Sequence, residues 1–145
     1  MCNDKRNVTD IKNVDFSAMD DAELIIAAND LFKLFKQGFE KNCYEDMTEI
    51  SECCKKVVEI CIARNSYIEQ HSAETLIDIA CFVFEQMYLY REKAEVLKAI
   101  GTNYKINKSL RVRALEELLS PEPEMQQYIS TDIKRFSDML RMLSS

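Results

Sequence analysis

The chain has 145 residues, 47% of them apolar, with two glycines and two prolines. Average usage would give about 7% Gly and about 5% Pro. β-Sandwiches and barrels need such residues for turns, and phosphate loops need clustered glycines, so both classes are excluded. Nineteen Lys and Arg against 25 Asp and Glu leave a net charge of −6, which argues against broad nucleic-acid binding.

Residues 1–16 are polar, with isolated Ile11, Val14 and Phe16, and read as a flexible arm before a single helical domain over 17–145. Asp20-Asp21-Ala22-Glu23 has the spacing of a capping box. Leu24, Ala27, Ala28, Leu31, Leu34 and Phe35 then recur at helical steps, with Gly38 placed as a terminating glycine. A second helix is predicted from Tyr44 to Arg64, where Met47, Ile50, Cys54, Val57 and Cys61 step 3-4-3-4. The run Leu76–Phe84 is apolar on every side, as in a central helix surrounded by its neighbours. A strand over 79–84 is rejected because helical periodicity continues through Met87, Tyr90, Ala94, Leu97 and Ile100 to Gly101. This predicts one helix over 73–100, or two pieces meeting near Tyr90-Arg91. Asn107 or Ser109 caps the next helix, and Ser120-Pro121-Glu122-Pro123 ends it. A last helix is expected from Glu124 to Leu143, carrying Met125, Ile129, Ile133, Phe136, Leu140 and Leu143.

The elements predict an all-α fold of five to six antiparallel helices. It would be a globular bundle or a short HEAT/armadillo-like stack around the central apolar helix. The stretch Ser109–Leu119 resembles one helix of such a repeat.

Cysteines occur at 2, 43, 53, 54, 61 and 81, and the opening residues carry no secretion signal. They read as reduced thiols acting as small core hydrophobes, in an intracellular protein. Adjacent Cys53 and Cys54 point about 100° apart on a helix and cannot form a zinc knuckle. No metal or cofactor is expected. With one histidine, His71, and no glycine-rich elbow, the chain reads as a non-enzyme. The run from Leu76 to Tyr90 is too short and too charged to span a bilayer.

Two stretches are candidate binding surfaces. Lys98, Tyr104, Lys105, Lys108, Arg111 and Arg113 fall in a segment with no acid between Glu95 and Glu116. Arg111 and Arg113 stand near a helix start, against the dipole, and so invite a contact with an acidic protein, a nucleic-acid phosphate or the chain's own acidic N-terminal half. The last helix has a broad apolar side, with Phe136, Met139, Leu140 and Met142 as candidate contacts to a second chain. The expected function is a non-enzymatic protein–protein interaction module, an adaptor or scaffold subunit. It would bind a helix or peptide of a partner protein and self-associate as a homodimer. Two alternatives are a nucleic-acid-associated factor using residues 98–113 and a helical bundle of the apoptosis-regulator kind that viruses encode. Size and the apolar central helix fit the latter, but its Asn-Trp-Gly-Arg motif is missing, since the chain has no Trp.

Overall fold

Local chemistry sets the first helix. Asp20 is extended, its carboxylate accepts the Glu23 amide at 2.8 Å, and Glu23 accepts the Asp20 amide at 3.1 Å. This reciprocal box starts α1 (Asp21–Glu40), and such a cap is worth about 1 kcal/mol. The computed structural model describes residues 11, 13–120 and 122–145, and every regular element among them is helical. Most of the expected 1–16 arm lies outside the described residues; Phe16 is buried and opens a 3₁₀ turn over Phe16–Ala18.

The chain divides into two compact units, the first ending at Ser66 and the second beginning at Tyr67. In the first, α1 buries Leu24, Ala28, Leu31, Phe35 and Gly38, a 4-3-4-3 stripe that packs on α2 (Met47–Arg64). The expected stop at Gly38 is corrected. Gly38 lies inside α1, and the left-handed residue after the helix is Asn42, a type that tolerates this conformation. A 3₁₀ turn over Tyr44–Asp46 leads into α2, which ends on left-handed Asn65. Arg64 donates to the carbonyls of Met19 and Ser17, both at 2.6 Å, and so ties the Phe16 turn to the end of α2.

The second unit begins with α3 (Gln70–Asp78), which runs directly into a π-helical segment over Ile79–Phe84. This segment is the expected apolar centre: Leu76, Ile77, Ile79, Ala80, Val83 and Phe84 are all fully buried. The reversal falls at Tyr88, which is left-handed (φ 58°), and the Leu89 amide closes onto the Phe84 carbonyl at 2.8 Å. Then follow α4 (Tyr90–Gly101), α5 (Lys108–Leu118), α6 (Pro123–Ile129) and α7 (Ile133–Ser144). Asn107 caps α5 by accepting the Ser109 amide at 2.8 Å, and Pro123 occupies the first turn of α6. Within this unit α4 packs on α5, α6 and the π segment, and α7 packs on α5.

The described residues hold seven α-helices, where five to six are expected from the sequence. The excess arises at Ser130–Asp132, which splits the predicted Glu124–Leu143 helix into α6 and α7. Ser, Thr and Asp side chains compete with helical hydrogen bonds and favour helix ends. The apolar spacing runs on across the break and masks it.

Candidate functional site

The basic segment is largely turned back into its own unit. Lys98 donates its ammonium to the Tyr128 carbonyl near the end of α6, at 2.7 Å. Arg111 Nε donates to the carbonyl of Gly101, the last residue of α4, at 3.0 Å. Arg113 pairs with Asp78 at the end of α3, at 2.8 Å. Of the partners the sequence leaves open for Arg111 and Arg113, the structure shows internal ones within their own unit. The acid that Arg113 meets lies 35 residues away in sequence and cannot be seen locally. Tyr104, Lys105 and Lys108 remain exposed, Tyr104 at 81%.

The candidates in the terminal helix separate by depth. Phe136 is 1% exposed and anchors α7, which packs on α5. Met139 and Leu140 are half-buried, as is Leu143, while Met142 is 76% exposed. Ile133, at the start of α7, is 40% exposed. The helix thus carries apolar surface on both sides of one buried anchor.

A cluster that sequence reading missed forms where the π segment, α4 and α6 meet. Lys93 is 1% exposed, and its ammonium lies 3.4 Å from Glu85 Oε1. Glu85 follows the π segment, and Glu122 precedes α6. Hydrogen bonding to the Glu85 carboxyl first, and partial burial second, raise Glu122 above its ordinary value. Lys93 works against the rise. No donor among the described residues reaches the buried Oε2 of Glu122. Lys93 is too deep to touch a ligand from solvent. In sequence it consists of three charges in separate helical patterns, and Pro121-Glu122-Pro123 reads only as a breaker.

The described cysteines are buried or half-buried. Burial, reinforced by neighbouring Glu117, pushes the Cys81 thiol up to about 12, and burial also raises Cys54 and Cys61. Cys53, Cys54, Cys61 and Cys81 are free thiols. The expectation of reduced thiols is corrected at Cys43, which is disulfide-bonded. Cys43 lies buried in the turn after Asn42, outside the helical stripes on which the core-thiol reading rests. Cys2 lies outside the described residues. In the first unit an open hollow of about 320 Å³ beside Phe16 is bordered by Asp15, Lys56 and Glu59. Among the described residues no three metal-ligating side chains converge, and no helix is long and apolar enough to cross a membrane.

Compared with known proteins, the chain matches no family model, no curated protein and no solved structure.

Proposed function

We propose that the chain is a non-enzymatic protein-interaction module, an adaptor or scaffold subunit that receives a helix or peptide of a partner protein along α7. The observation that supports this reading is the contrast within one helix between Phe136, 1% exposed, and Met142, 76% exposed. A helix held by one buried anchor uses only part of its apolar side for its own fold. Methionine suits the remainder, because a flexible, polarizable thioether adapts to differently shaped partners. Internal pairing weakens the reading of 98–113 as a nucleic-acid surface. Lys98, Arg111 and Arg113 have internal partners, which leaves Lys105 and Lys108 beside Tyr104. Two cations make a thin phosphate-tracking footprint.

The test is capture from native extract with the wild-type chain as bait, followed by reconstitution with the purified partner. The partner should protect Met142 from oxidation. It should also be lost from a Met142→Lys variant whose circular dichroism is unchanged. A variant that keeps every partner ends the reading.

A further inference from the structure

We infer that the segment seated on α7 is an acidic amphipathic helix of another protein, an inference that rests on the reading of α7 just proposed. Residues three and four apart on a helix are surface neighbours. One edge of α7 therefore carries Arg135, Met139 and Met142, and the other carries Ile133, Ser137 and Arg141. Each edge sets an exposed apolar residue in line with an arginine. Lys134 adds a third cation, and the one acid of the helix, Asp138, is held by Arg141 at 2.8 Å. The helix thus carries a net +2 on a chain whose total is −6.

Position makes these cations informative. Lys134 and Arg135 occupy the first turn of α7, where the helix dipole disfavours positive charge. Neither is ion-paired among the described residues; Arg135 lies 5.6 Å from the centroid of the Phe136 ring, which keeps its head at the border of the apolar side. Asp138 is the nearby acid one turn on and is taken by Arg141, so the first-turn cations outnumber the acid beside them, and a negative group arriving from outside would complement the excess. A partner helix with leucines at three- and four-residue spacing would lie along the edge that carries Met139 and Met142. Glutamates flanking those leucines would meet Arg135, Arg141 and Lys134. A basic partner would be repelled at the same points.

An anionic membrane surface is the rival occupant for a basic amphipathic helix. It fits less well. Phe136 is buried and Leu140 and Leu143 are half-buried, so the apolar side is not free to enter a bilayer, and the chain's overall negative charge opposes approach.

The experiment uses the full chain and two labelled synthetic amphipathic helices with one shared leucine stripe, one flanked by Glu and one by Lys. In fluorescence anisotropy at low salt the Glu-flanked helix should bind about tenfold tighter and weaken as salt is added. Lys134→Glu with Arg135→Glu should reverse the preference without loss of helicity. Equal affinity for both helices, with both weakened by Met142→Lys, would overturn the charge inference and leave the α7 reading standing. If neither helix binds, both fall. Binding of wild-type chain to phosphatidylserine-containing vesicles, lost in the double variant, would overturn the inference in favour of a membrane.

Discussion

The ammonium of Lys93 lies 3.4 Å from Oε1 of Glu85, with the lysine 1% exposed and the glutamate 34% exposed. The pair is asymmetric: one charge has given up its water and the other keeps part of it. Removing the buried partner of a fully sequestered pair costs about 3–5 kcal/mol. Because Glu85 can recover hydration, Lys93→Ala should cost less, about 2–3 kcal/mol. The double variant Lys93→Met with Glu85→Leu should recover much of that loss in urea denaturation. If Lys93→Ala unfolds at the wild-type urea midpoint, the pair contributes nothing.

Glu122 introduces a pH dependence with a definite sign. Its hydrogen bond to Glu85, then partial burial, raise it above its ordinary 4.5, against the pull of Lys93. The folded chain therefore holds this proton more tightly than the unfolded chain. The stabilising share is complete below 4.5 and is lost as pH rises through the raised folded value. In Glu122→Gln the share no longer titrates. The variant should gain on wild type as pH rises from below 4.5 to neutrality, measured as the difference in denaturation midpoints. A pH-independent difference would refute the upward shift of Glu122.

Arg113 and Asp78 tie the middle of α5 to the end of α3, and both side chains are 44% exposed. A pair this open is worth about 1 kcal/mol at most. Arg113→Glu should cost about that much, and adding Asp78→Lys should restore it. Loss of a binding partner without any loss of stability would return Arg113 to the surface role that its sequence position suggests.

Gly101 meets Leu115 so closely that a Cβ would sit 2.8 Å from Cδ2 and 2.9 Å from Cγ. Leu115 is fully buried and cannot yield. Alanine would gain about 0.5–1 kcal/mol of helix propensity, but overpacking costs about 1–3 kcal/mol. Gly101→Ala should lower stability overall in thermal melts, and combining it with Leu115→Val should cost less than the sum of the two singles.

Phe136→Ala should cost about 3–5 kcal/mol, as for an aromatic truncated in a core, whereas Met142→Lys should shift stability by no more than about 0.5 kcal/mol. Equal losses in the two variants would mean that α7 has no outward-facing apolar side.

What was legible in the sequence was local. The Asp20–Glu23 box, the buried stripes of α1 and α2, the Asn107 cap and the first-turn Pro123 all lie within a few residues of the signals that announce them. What was hidden depended on partners far along the chain. Arg113 looked unpaired because Asp78 belongs to another helix. Lys93, Glu85 and Glu122 each looked like an ordinary surface charge until three elements met. Cys43 sits in a turn, where neither helical spacing nor the absence of a secretion signal speaks to its bonding. The split at Ser130–Asp132 vanished because Ile129 and Ile133 continue the apolar spacing across it. For the candidate site, the breadth of the last helix could be read, while the depth of each residue on it depended on the packing of α5.

The π winding of Ile79–Phe84 has a consequence for phase. A π segment accommodates one residue more than an α-helix would over the same path. Deleting one residue there, for instance half-buried Phe82, would let α3 continue with ordinary winding along the same path, so that Glu85 keeps its line toward Lys93. Deleting one residue from the regular stretch of α3 instead would rotate everything after it by about 100° about the helix axis. The π winding therefore stores a surplus residue without changing the direction in which the rest of this unit is aimed.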